Sequence, residues 1–182
     1  HGKAHVFDEL VVEDTDTIDQ AKEAAKRLAL RMSIARGASE EKLRAGDPDR
    51  WPVTPRAAAA RCTVITDAAG ETDKTSSKRS DTEIIRQEGF NVRHKAANPF
   101  VADSVLAVNA ALGDGWLLFD GDGARYIASC VEKIPLGPDG KPVKGAGSRE
   151  KVKAGLDHAA DLVRYGVWFH RPVHLRHGNQ KR

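Results

Sequence analysis

The sequence predicts an α/β fold, a mixed central sheet flanked by helices. Three observations carry this. Short β-branched or aromatic runs alternate with amphipathic helical stretches from residue 61 onward, the pattern of a layered, largely parallel sheet. Thr17-Ile18-Asp19-Gln20 and Ser80-Asp81-Thr82-Glu83 both read as capping boxes, in which side-chain oxygens satisfy free amides of the first helical turn. Finally, 182 residues of which 40% are hydrophobic suffice for one core, since domains of roughly 100 to 200 residues fold alone.

The elements follow in order. His5-Val6-Phe7 and Leu10-Val11-Val12 bracket Asp8-Glu9 in an extended segment or hairpin arm. Behind Thr17, the residues Ile18, Ala21, Ala25, Leu28, Met32 and Ala35 recur at spacings of three and four, and Gly37 stops the helix. Residues 37–56, broken by Gly46, Pro48, Pro52 and Pro55, read as an exposed excursion with at most a short helix near Ser39 to Arg44. Arg61-Cys62-Thr63-Val64-Ile65-Thr66 is a buried strand that delivers Asp67 at its carboxyl end, where ligands bind in such sheets. The helix opened by Ser80 is closed by Gly89, and Phe90 to His94 form a strand. Asn98 and Pro99 suit the start of a helix whose stripe is Val101, Val105, Val108 and Leu112. Gly115-Trp116-Leu117-Leu118-Phe119 is the next strand, and Asp122 can cap a helix burying Tyr126, Ile127, Cys130 and Ile134. Turn chemistry from Pro135 to Pro142 suggests a protruding loop or hairpin. Ser148 can cap a last helix reaching about Phe169. Residues 1–170 read as a single domain and 171–182 as a basic tail; Pro172 separates His170 from His174 and His177 and breaks the helical pattern.

Composition narrows the class. No apolar run approaches the roughly 18 residues of a membrane span. Two cysteines, Cys62 and Cys130, are too few for a secreted disulfide framework and fit a reducing cytosolic setting. The first residue is His1, with no signal peptide behind it. The formal charge of +3, from 29 basic and 26 acidic residues, hides an uneven layout: acids crowd residues 8–23, while no acid follows Asp161. Such asymmetry suits a polyanionic partner.

The last helix concentrates the chemistry. At about 100° per residue, Val152, Leu156, Ala159, Val163 and Val167 form one face, with Asp157, His158 and Asp161 on the adjoining flank. In the plainest reading Asp161 pairs with Arg164, Asp157 and His158 are solvated, and Asp67 starts a turn. Carboxylates from separate elements are, however, what a two-cation site requires. Hard oxygen ligands hold Mg²⁺ or Mn²⁺, and two ions about 4 Å apart activate a water and stabilise a leaving phosphodiester oxygen. Asp67 is then the shared ligand, with Asp161 and His158 completing one shell; His158 can alternatively orient the water.

Four segments carry a family resemblance: Val64-Ile65-Thr66-Asp67-Ala68-Ala69-Gly70; the Ser80-Asp81-Thr82-Glu83 helix ending in Gly89-Phe90-Asn91-Val92; Asn98 to Asn109; and Leu156-Asp157-His158-Ala159-Ala160-Asp161-Leu162-Val163-Arg164-Tyr165. Together they resemble the nuclease domain of bacteriophage large terminase subunits, from about His5 to Val167. The most specific element is Asp157-His158-x-x-Asp161-x-x-Arg164-Tyr165.

The resemblance implies a ribonuclease H-like fold and a metal-dependent endonuclease that cuts concatemeric double-stranded DNA during viral packaging. It assigns Asp67, Asp161 and His158 as catalytic and metal-binding residues, with Asp157 matching the motif, and two Mg²⁺ or Mn²⁺ ions as cofactors. It also implies an ATPase motor on the same parent chain, portal and small terminase subunits as partners, no membrane, and a place in the host cytoplasm at the procapsid. Lys74, Lys78, Arg79, Lys141, Lys144, Arg149 and Lys151 are then candidate phosphate contacts, sequence-independent and salt-sensitive. The segment from Pro138 to Lys144 matches the position of a hairpin near DNA in the family.

The family's first catalytic Asp lies on an initial strand that this sequence does not contain, so weak or absent cutting is expected of it. Asp8 and Glu9 are the nearest replacements, although in the family that pair ends the following strand. Two other readings stand beside this one: a resolvase- or transposase-type ribonuclease H-like nuclease, and a non-cleaving DNA-binding or motor-docking module. No Gly-x-x-x-x-Gly-Lys-Ser/Thr loop occurs, so a motor would lie outside this sequence.

Overall fold

The computed structural model describes residues 2–10, 16–66, 79–138 and 156–173, with residues 156–158 described by their backbone. In order, the chain forms β1 (Ala4–Val6), α1 (Thr17–Ile34), α2 (Glu40–Ala45), a 3-10 turn (Pro48–Arg50), α3 (Pro55–Ala59), β2 (Thr63–Ile65), α4 (Asp81–Gln87), β3 (Asn91–Arg93), α5 (Val101–Gly113), β4 (Leu117–Phe119), α6 (Arg125–Lys133) and α7 (Leu156–His170). The fold is mixed α/β. The single central sheet expected is, among the described residues, two parallel pairs, β1 with β4 and β2 with β3. Each pair belongs to its own compact unit: Leu10–Ala96, and His1–Glu9 with Ala97–Arg182.

In the Leu10–Ala96 unit, the α1 N-cap is Asp16, whose carboxylate accepts from the Asp19 amide at 2.9 Å. Thr17 is instead the first helical residue, and its hydroxyl donates to Asp81 Oδ1 at 2.8 Å. The buried stripe also sits one step round from the expected one, on Ala21, Ala25, Ala29 and Ser33. Small residues at this i, i+4 spacing let α1 lie close against α3, where Ala58 and Ala59 are fully buried. The larger Leu28 and Met32 flank that contact and pack into the adjoining clusters. Gly37, at φ +88°, ends the helix, with the amides of Gly37 and Ala38 returning to the carbonyls of Ile34 and Ser33, the Schellman pattern.

Residues 37–56 are more than the exposed excursion expected. Leu43, Trp51 and Val53 are buried in one cluster with Ala29 and Ala58. Trp51 Nε1 donates to the Leu43 carbonyl at 3.0 Å, and the Val53 amide donates to Ser33 Oγ at 3.1 Å. Polar groups brought inside thereby find partners, which is what makes their burial tolerable. The Ser80–Glu83 capping box forms as expected, at 3.1 and 3.2 Å. Gly89, at φ +99°, closes α4 and turns the chain into β3. The register pairs Thr63 with Asn91 and Ile65 with Arg93. Val64 and Val92, on the other face, pack into the core with Phe90 and Ile85.

The other unit is built round Ala107, Val108, Ala111, Leu117, Val163, Val167 and Trp168. Helix α7 packs against both α5 and α6. Helix α5 begins at Val101 after Phe100, with no side-chain cap, not at Asn98-Pro99. Its buried positions are Asp103, Ser104, Ala107, Val108 and Ala111, while Leu112 is 39% exposed. The smallest residues face α7 because the neighbouring helix, not hydrophobicity alone, decides which side is covered.

Before α6, Asp120 Oδ1 accepts from the amides of Asp122 and Gly123, so Asp122 is a turn residue rather than the cap expected there. A Cβ on Gly123 would stand 2.1 Å from the Phe7 carbonyl oxygen; only glycine permits that approach. The α6 amides of Tyr126 and Ile127 are taken by the carboxylate of Glu9 at 2.8 and 2.6 Å. Cys130 is fully buried as expected, but Tyr126 is 39% exposed.

Candidate functional site

Helix α7 brings the backbone of Asp157, His158 and Asp161 within about one turn, since 3.6 residues complete a turn. The side chains of Asp157 and His158 lie outside the described residues, as do Asp67, Lys74, Lys78, Lys141, Lys144, Arg149 and Lys151. Asp161 and Arg79 are the described members of the predicted set.

Asp161 sits where burial gives way to solvent. On one side of it α7 buries Ala159, Ala160, Val163 and Arg164; on the other, Leu162 is 64% exposed. The Asp161 side chain is 25% exposed and that of Arg164 only 8%. Arg164 Nη1 donates to Asp161 Oδ1 in a short charge-assisted contact. Its Nε donates to Ser104 Oγ at 3.0 Å, and Ser104 in turn donates to the Val101 carbonyl at 2.8 Å. A guanidinium withdrawn from water needs this many partners, because an unpaired buried charge is expensive. The plain pairing of Asp161 with Arg164 is therefore present. Its three-residue spacing makes that pair legible in the sequence; nothing local announces the anchor on α5, 60 positions away.

Asp161 commits one oxygen to Arg164, and among the described residues Oδ2 has no partner. At the carboxyl end of β2, the Thr66 amide continues the pairing by donating to the Arg93 carbonyl at 3.1 Å. Thr66 Oγ1, directly before Asp67, is buried and has no hydrogen-bond partner among the described residues. A buried polar atom left unsatisfied costs about 1–3 kcal/mol and marks a place where water or a cation can be accommodated. Hydroxyl and carboxylate oxygens are the donors that Mg²⁺ or Mn²⁺ takes. No three His, Cys, Asp or Glu side chains are grouped as a metal site among the described residues.

A cavity of about 250 Å³ opens between α5, α6 and α7, with Val108, Val131, Ile134, Leu136, Ala160 and Arg164 in its wall. Its lining is mostly apolar, with Asn109, Glu132 and Arg164 as the polar members.

Arg79 is exposed, and its Nη1 donates to Gln87 Oε1 at 2.6 Å. A guanidinium at the surface is placed where a phosphate can reach it. Arg171 lies over the Trp116 ring at 5.3 Å and pairs with Asp114 at 3.3 Å, and Val173 packs against the core. Residues 174–182 lie outside the described part. No helix among the described residues is long and apolar enough to cross a membrane.

Compared with protein families, curated proteins and solved structures, the chain matches none.

Proposed function

We propose that this chain is a metal-dependent endonuclease domain of a viral DNA-packaging terminase, with a ribonuclease H-like fold, hydrolysing double-stranded DNA with two Mg²⁺ or Mn²⁺ ions. Asp67, Asp161 and His158 are its metal-binding and catalytic residues, and Asp157 an additional ligand. An ATPase motor in the parent chain and the portal and small terminase subunits are its partners, at the procapsid in the host cytoplasm.

The observation that carries the reading is the Asp157-His158-x-x-Asp161-x-x-Arg164-Tyr165 order on one helix, with Asp161 half-buried and, among the described residues, one of its oxygens without a partner. The Thr66 hydroxyl, next to Asp67 in sequence and without a partner among the described residues, adds support. Bound divalent ions would supply an activated water and stabilise the departing oxygen. The chain's own part is to hold carboxylates in place and to attract phosphates through Arg79 and the basic residues at 74, 78, 141, 144, 149 and 151.

A second reading draws on the Asp161–Arg164 pair itself. In a non-cleaving DNA-binding or motor-docking module, that pair alone is reason enough for an acid at residue 161.

Mn²⁺ binding followed by electron paramagnetic resonance separates the two, with cutting of supercoiled plasmid as a second readout. Asp161→Asn is the suitable change, since the amide oxygen still accepts from Arg164. The nuclease reading expects Asp67→Ala and Asp161→Asn each to weaken Mn²⁺ binding about tenfold or more. Unchanged binding in both, with salt-sensitive DNA binding retained, establishes the second reading instead.

A further inference from the structure

We infer that Arg164 is the positioning residue for Asp161: anchored on Ser104, it fixes one carboxylate oxygen and leaves the other as a preset ligand for a divalent cation. The inference rests on the nuclease reading above. Three features of the geometry point to it. The Arg164 side chain is only 8% exposed, so its guanidinium is not a surface charge free to follow its partner. Its Nε is tied to Ser104 Oγ at 3.0 Å, and that hydroxyl is itself tied to the Val101 carbonyl at 2.8 Å. Ser104 is fully buried, so the chain of bonds starts from the packed backbone of α5 and ends on Asp161 Oδ1.

Hydrogen-bonded partners of this sort orient a metal-binding carboxylate before the ion arrives, and their loss typically lowers metal affinity about 10- to 100-fold. An opposing effect must be weighed, because a guanidinium beside a divalent cation repels it. That charge is already matched by Asp161, so the uncompensated contribution is the orientation of the carboxylate. The two effects differ in sign and can be separated by experiment.

Mn²⁺ affinity is measured by electron paramagnetic resonance on the 182-residue chain and on Arg164→Leu, Arg164→Lys, Ser104→Ala and Asp161→Asn, each checked for folding by circular dichroism. Positioning expects Arg164→Leu to weaken binding about 10- to 100-fold. Arg164→Lys, which keeps the charge but cannot span Ser104 and Asp161 together, should weaken it nearly as much. Ser104→Ala should weaken it by a smaller factor and serves if the Arg164 variants do not fold. Tighter binding in Arg164→Leu, or wild-type affinity in folded Arg164→Lys and Ser104→Ala while Asp161→Asn loses the ion, overturns the inference and leaves the nuclease reading standing. Absence of Mn²⁺ binding in the unaltered chain, or wild-type binding in Asp161→Asn, overturns both.

Discussion

Glu9, just past the end of β1, accepts the amide of Ile127 at 2.6 Å in the first turn of α6. Its second oxygen takes the Tyr126 amide at 2.8 Å, so a residue more than a hundred positions away does what an N-cap side chain does locally. An acid there also complements the positive end of the helix dipole. Glu9→Ala should therefore destabilise the chain by about 1 kcal/mol, within the 0.5–2 kcal/mol typical of a lost cap. Glu9→Gln, which keeps one oxygen acceptor, should cost less. Urea denaturation measures both, and equal stability of Glu9→Ala and the unaltered chain refutes the role.

Gly123 tests the neighbouring joint. A β-carbon placed on this residue would stand 2.1 Å from the Phe7 carbonyl oxygen, which leaves no room for alanine without backbone movement. Gly123→Ala should lower stability by about 1–3 kcal/mol, the usual range for overpacking. Gly113→Ala, where nothing stands within 4 Å, is the control, and comparable losses in the two would sink the steric explanation.

Ser33 is the polar residue of the α1 stripe and is fully buried. Its hydroxyl accepts from the Val53 amide at 3.1 Å. Ser33→Ala leaves that buried N–H without an acceptor, a loss of about 1–3 kcal/mol. A fall in melting temperature in Ser33→Ala that exceeds that of an exposed serine-to-alanine change is the expected result.

The two thiols set an alkaline limit. Burial raises the Cys62 and Cys130 thiols above their ordinary value. The proton is thus held more tightly in the folded state, so this stabilisation is complete below the ordinary thiol value, about 8.5, and is lost as pH rises through the folded-state values. Stability measured against pH should fall above that point, and the fall should shrink in Cys130→Ala. In native protein, a thiol-reactive dye should label Cys62 first, because Cys130 is fully buried while Cys62 is partly exposed.

Much of the local structure was legible. Ser80 and Glu83 announce a helix start through chemistry confined to four residues. Gly37 and Gly89 mark stops because the left-handed turns there favour glycine. The faces of the helices were harder to read. In α1 and α5 the apolar pattern favoured Leu28, Met32 and Leu112, yet most of the buried positions are alanines and serines, because two helices in close contact select small residues. Residues 37–56 misled for a related reason: Trp51 and Val53 enter the core although prolines and charges surround them.

Taken by itself, the chain's order of residues determined where α4 begins, where α1 and α4 stop, the α/β class, and the alignment of Asp157, His158 and Asp161 along α7. These follow from side chains acting within a turn or two. Only tertiary structure decided that the strands among the described residues pair two by two, that Glu9 caps α6, and that Ser104 anchors the arginine holding Asp161. The polar partners among these lie 60 to 118 positions apart, and what joins them is the need of each buried polar group for a bond wherever the packed chain brings one within reach.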